Sequence, residues 1–80
     1  MTREEIVKNV NDFLVEEIEV EKHLLKEDAL LKEDIGIDSL DFVDIVVIVE
    51  RHFGFKIKAE EMSNVRTLAQ FYDYIEKNLN

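Results

Sequence analysis

Apolar residues recur along three stretches of this chain at the spacing of an α-helix, and between those stretches the period lapses. From Arg3 to Glu16, Ile6, Val7, Val10, Phe13 and Leu14 fall on one helical face, while Glu4, Lys8, Asp12 and Glu16 lie on the other. Thr2, followed three residues later by Glu5, supplies a capping box at the start. The segment predicts an amphipathic helix forming one wall of a core. From Leu40 to Phe53 the local propensity of Val46-Val47-Ile48-Val49 is that of a strand. The stretch is long for a strand, however, and at about 100° per residue Phe42, Ile45, Val46, Val49 and Phe53 share one arc, so it reads as a helix. Ser39 is expected to cap it, with Asp41 in the first turn and Gly54 just beyond the last. Thr67 is expected to cap a further helix whose Leu68, Phe71, Tyr72, Ile75 and Leu79 form a tight stripe.

Between the first two helices, Ile18, Val20, Leu24, Leu25, Leu30, Leu31, Ile35 and Ile37 are scattered among charges from Glu17 to Ile37. A loop of this length inside a small domain is unusual, and its apolar residues imply that it is packed down, with room for one or two helical turns around Val20 to Leu24. Phe55-Lys56-Ile57 reads as a short extended connector and Ala59 to Met62 as a single helical turn. The pattern predicts an all-α fold: a small four-helix bundle of three main amphipathic helices plus one short helix, with a long first loop, in one domain spanning 1–80.

Composition narrows what such a bundle does. Eighty residues lie near the lower size limit for a self-sufficient hydrophobic core, and the absence of cysteine excludes disulfides, thiolate metal sites and a cysteine nucleophile. Ten Lys and Arg against nineteen Asp and Glu give a formal charge of -9, which opposes nucleic acid and anionic membranes and favours basic partner surfaces. No apolar run approaches the roughly 20 residues of a membrane span, and the first residues lack the character of a signal peptide. These features predict a soluble, intracellular protein.

Candidate chemistry centres on the junction before the second long helix. A hydroxyl at Ser39 would lie beside free N–H groups and the positive end of the helix dipole, surroundings suited to a phosphate ester. On a helical wheel Leu40, Val43 and Val47 point away from the core, beside Asp44, Glu50 and Arg51. Either a partner docks on this strip, or the long loop or a second core layer covers it. A Ser-His dyad fits poorly, because His52 lies thirteen residues beyond Ser39 on the same helix, a separation of roughly 20 Å. His23 could approach from the loop, but no Gly-rich oxyanion element accompanies Ser39 and the chain has little room for a substrate cleft. An EF-hand beginning at Asp34 would need Gly at the sixth position and Glu at the twelfth, where this chain has Ser39 and Ile45. Asp34, Asp38 and Asp41 are left either as loose divalent-ion ligands or as solvated carboxylates.

The run Asp34-Ile35-Gly36-Ile37-Asp38-Ser39-Leu40-Asp41 resembles the signature of acyl carrier proteins, in which Asp-Ser-Leu, preceded by a Gly two residues before the Asp, opens the second helix. The similarity extends over the whole chain, from the first helix through Phe53-Gly54 to the closing helix with Tyr74 and Ile75. It implies that Ser39 receives a 4'-phosphopantetheine from coenzyme A by way of a phosphopantetheinyl transferase. The arm's thiol would carry acyl groups as thioesters, and the chain itself would be a cytoplasmic monomer and not an enzyme. The resemblance also implies recognition by synthase and acyl-transfer enzymes with basic and apolar docking patches, through Asp38, Leu40, Asp41, Val43, Asp44, Val47 and Glu50.

Three features depart from the typical fatty-acid carrier: Arg51-His52 in place of further acids, Ile37 in place of a small residue, and the dense β-branching of Val46 to Val49. The first weakens the negative field at the far end of the helix. Both a general fatty-acid carrier and one dedicated to a specialised pathway remain open. Asp38 and Asp41 favour an acyl cargo over a non-fatty group such as D-alanine, and an all-α interaction module without a prosthetic group is the alternative of a different class. The interior, lined by Phe13, Val46, Val49, Leu68 and Ile75, is expected to loosen and admit part of the acyl chain.

Overall fold

Helix α1, Arg3–Glu16, starts where its cap predicts. In the computed structural model, which describes residues 1–79, the Thr2 hydroxyl accepts the Glu5 N–H at 3.2 Å and the Glu5 carboxylate accepts the Thr2 N–H at 2.9 Å. Two of the otherwise unsatisfied donors of the first turn are thereby paired. Ile6, Val10, Phe13 and Leu14 are buried, whereas Val7 is only partly covered. Three further helices follow, α2 at Ser39–Phe53, α3 at Ala59–Met62 and α4 at Leu68–Leu79, which is the expected all-α arrangement with one short member. The two long helices that approach most closely are α1 and α4.

The loop between α1 and α2 contains a single 3-10 turn, Lys22–Leu24, inside the region where a short helix was expected. It is pinned down mainly by main-chain bonds to the start of α4. Leu68 N–H donates to the Ala29 carbonyl at 3.0 Å, Ala69 N–H to Glu27 at 2.9 Å, and Leu31 N–H to Arg66 at 2.8 Å. The first two are donors that a helix start leaves without intrahelical acceptors, so the loop completes α4 while α4 holds the loop. Thr67 caps the same helix, accepting from Gln70 N–H at 3.1 Å, and the Gln70 side chain accepts in return from the N–H groups of Arg66 and Thr67. Val20, Ala29 and Ile35 from the loop join the core.

Two features of the packing differ from the wheel projections. On α2 the buried residues are Ile45, Ile48, Val49 and Phe53, with Phe42 and Val46 only partly covered. The inward arc is rotated towards Ile48, because the loop as well as the other helices supplies core surface. On α4, Tyr74 is buried beside the predicted stripe. Its ring lies 6.1 Å from that of Phe55, and its hydroxyl donates to Glu61 at 2.8 Å and accepts the Lys58 N–H at 3.2 Å. The Phe55–Lys58 connector and Glu61 of α3 therefore cover it. At the α1–α4 seam Arg3 pairs with Asp73 at 2.7 Å and Glu76 at 3.2 Å over the Tyr72 ring, while the Tyr72 hydroxyl donates to Asn11. Gly54 ends α2 at φ 79°, where a side chain would be strained, and its N–H reaches the Glu50 carbonyl. Among the described residues no helix is long and apolar enough to cross a membrane.

Candidate functional site

Asp38, rather than Ser39, caps α2. Its backbone is extended, at φ -100° and ψ -175°. Its carboxylate accepts the Asp41 N–H at 2.8 Å, and the Asp41 carboxylate accepts the Asp38 N–H at 3.3 Å. Asp and Ser are near-equal caps, so adjacent residues of these two types leave the boundary ambiguous in sequence; the backbone angles decide it. The displacement by one residue has a chemical consequence. A capping hydroxyl would accept a helix N–H, whereas Ser39, as the first helical residue, is exposed with its hydroxyl making no hydrogen bond among the described residues.

The preceding loop fixes where Ser39 sits. Asp34 accepts the Leu30 N–H at 2.8 Å through its side chain, and the Leu30 carbonyl accepts from both Asp34 and Ile35 N–H at 3.0 Å. Ile37 N–H then reaches the Leu31 carbonyl at 2.9 Å, and Gly36 reverses the chain at φ 89°. Buried Ile35 anchors the turn, and the Leu31–Arg66 bond ties it to α4. Ser39 thus sits at the end of a tightly bonded platform. Its own N–H and that of Leu40 have no acceptor among the described residues, and with the helix dipole they form a place for an anionic oxygen.

The three nearby carboxylates are committed to this local backbone, Asp34 to Leu30 and Asp38 and Asp41 to each other's N–H groups. No grouping of three or more metal-ligating side chains occurs among the described residues. The histidines face other partners. His52 lies at the far end of α2, 3.7 Å from the Glu17 carboxylate and with its ring 6.0 Å from that of Phe13, and His23 lies 3.4 Å from Glu21.

Along the outer face of α2, Leu40 is 77% exposed, Val43 60% and Val47 57%, so the long loop does not cover the strip. Exposed Asp38, Asp44 and Glu50 and half-covered Asp41 accompany it. The basic residues of the helix, Arg51 and His52, are confined to its last turn, where Arg51 pairs with Glu17 at 2.7 Å. Asp38 is therefore both a structural cap and a surface charge, and substitution separates the two. Asp38→Ala is expected to cost about 1 kcal/mol in denaturant unfolding, while Asp38→Asn, which keeps the accepting oxygen, should cost no more than a few tenths.

Comparison with known proteins agrees with this geometry. A family profile described as a phosphopantetheine attachment site matches residues 10–75. The chain is 37% identical over 78 residues to the acyl carrier protein of Thermotoga maritima, covering 98% of this chain and 96% of that protein. It is 34% identical over 79 residues to the acyl carrier protein of Coprothermobacter proteolyticus, covering 99% and 96%. Against the acyl carrier protein of Porphyromonas gingivalis the identity is 35% over 75 residues, covering 94% and 96%. A covalently attached 4'-phosphopantetheine and a carrier role rather than an enzymatic one follow from these matches, which disfavour the reading as an interaction module without a prosthetic group. With matches spanning nearly its whole length, the chain belongs to the acyl carrier protein family.

Proposed function

We propose that Ser39 bears the 4'-phosphopantetheine and that the chain carries acyl groups on it, in the cytoplasm, to enzymes of fatty-acid or related biosynthesis. The observation that carries this reading is the exposed, uncommitted hydroxyl at the first position of α2, beside the free N–H groups of Ser39 and Leu40. These residues fit a phosphodiester: the hydroxyl supplies the ester oxygen, and the two N–H groups and the helix dipole stabilise the remaining negative charge. The arm supplies the thiol that a chain without cysteine lacks. The histidines pair with Glu21 and Glu17, and the carboxylates of Asp38 and Asp41 hold each other's N–H groups, so the base that takes the hydroxyl proton during attachment is assigned to the phosphopantetheinyl transferase. Intact mass after incubation with coenzyme A and that transferase tests the assignment, with the modified peptide mapped to Ser39. No gain, or a gain at another residue, overturns it.

Leu40, Val43 and Val47, with Asp38, Asp41, Asp44 and Glu50, form the surface proposed to meet partner enzymes, by apolar contact at the centre and charge complementarity at the rim. Val47→Asp and Asp44→Lys are each expected to lower kcat/KM for attachment while leaving circular dichroism unchanged and stability within about 0.5 kcal/mol. Unfolding of either variant would make these residues structural.

The interior is proposed to admit part of the carried chain by loosening. Two depressions, of about 240 Å³ between α1 and the 3-10 turn and about 460 Å³ between α3 and α4, are lined by no residue of α2 and open to solvent. A long acyl chain should therefore shift core NMR resonances and thermal stability relative to the unacylated form. Identical values for the two forms would place the acyl chain outside the bundle.

A further inference from the structure

We infer that the enzymes that load acyl groups onto the arm present to α2 a docking face that changes sign along its length, basic opposite Asp41 and Asp44 and acidic opposite Arg51. The inference rests on the carrier reading above and concerns which partners that surface accepts. Arg51 follows Val47 by four residues and Asp44 by seven, so it lies in line with the exposed strip, about 6 Å and about 10 Å further along the helix. Its side chain is 59% exposed although it is ion-paired, and its partner Glu17 is the more covered of the two at 38%. A single N–H, from Nη2, reaches Glu17 at 2.7 Å, and the guanidinium's other donors make no bond among the described residues. Glu17 is itself fixed as the C-cap of α1, with its N–H on the Phe13 carbonyl. Its second carboxylate oxygen lies 3.7 Å from His52.

Arg51 is thus held in one direction with most of its donor fork directed to solvent. That is the preorganised arrangement for charge-assisted, two-pronged bonding to a carboxylate. A lysine or arginine on the partner at the same place would meet a like charge, so the residue both attracts one surface and repels another. The separation of about 10 Å between Asp44 and Arg51 is comparable to the screening length of about 8 Å at physiological salt, and a docked partner senses the two charges separately. Exposed Glu50 flanks the other side of Val47, so the sign reverses along the Asp44–Arg51 row, and that row fixes which way round α2 lies and the side from which the arm at Ser39 enters the partner.

The test uses the full chain carrying its arm, with Arg51→Glu, Arg51→Gln and Glu17→Gln variants. For each, kcat/KM is measured for transfer of an acyl group onto the arm by an acyl-loading enzyme purified from the same source by that activity, at low and at physiological salt. Arg51→Glu should lower kcat/KM about ten-fold or more, mainly through KM, Arg51→Gln by a few-fold, and both losses should shrink as salt rises. Glu17→Gln, which keeps the arginine charge, should lower it least. An unchanged or raised kcat/KM for Arg51→Glu overturns the inference, because the partner is then bare or basic at that point. If Arg51→Glu loses helicity, Arg51→Gln decides by the same sign. Failure of the carrier reading itself is seen separately, as a parent chain that gains no arm by mass.

Discussion

Ser39→Ala should abolish the mass gain from coenzyme A and a phosphopantetheinyl transferase, and leave a folded protein. The loss is expected to be complete because attachment requires an oxygen at this position and the replacement has none. The fold is expected to survive because Asp38, not Ser39, holds the start of α2, through its bond to Asp41 N–H at 2.8 Å. An exposed residue making no side-chain hydrogen bond contributes at most about 0.5 kcal/mol, so circular dichroism and the unfolding midpoint should stay near those of the parent. The variant also discriminates between hydroxyls. Ser63 donates to the Glu60 carbonyl at 3.1 Å, at the end rather than the start of the one-turn α3. Thr2 and Thr67 accept N–H bonds as caps at 3.2 Å and 3.1 Å. Among the described residues Ser39 is the hydroxyl left free at a helix start, and a mass gain surviving its removal would contradict the assignment outright.

Phe71→Ala should cost about 3–5 kcal/mol, the range for removing a buried aromatic ring and leaving a cavity. Phe71 is 2% exposed on α4, the helix that approaches α1 most closely. For a domain of 80 residues the whole stability is about 4–12 kcal/mol, so this one change removes a large part of it. With no cysteine in the chain there is no disulfide to offset the loss. Urea unfolding measures it directly. Because the loop carrying Ser39 is bonded to the start of α4 through Ala29, Glu27 and Arg66, attachment to Ser39 should slow as the folded fraction falls. A loss below about 1 kcal/mol would mean that the core collapses around the missing ring.

Caps and stripes were legible wherever they are local. Thr2 with Glu5, Thr67 at α4 and Gly54 after α2 act at the ends expected of them, because their partners lie within four residues in the chain. The candidate site was legible as the junction where a loop meets α2, but its cap was read one residue late. Asp38 and Ser39 are both competent, and only the extended backbone at Asp38 separates them. The exposure of Leu40, Val43 and Val47 was left undecided by the wheel, since periodicity finds the inward face of a helix and says nothing about whether a distant loop covers the outer one.

By itself the sequence determined the helical class, the extents of the long helices and the placing of a serine among acids at the start of one of them. Each of these depends on interactions at spacings of three or four residues, which a pattern encodes directly. The tertiary structure alone decided the rest. It rotated the buried arc of α2 towards Ile48, covered Tyr74 with the Phe55–Lys58 connector and α3, and pinned the long loop onto the start of α4. It also joined Arg51 to Glu17 across 34 positions of the chain. Contacts at such separations follow from how the elements pack and which donors each helix end leaves unpaired, quantities set only once all the helices are in place.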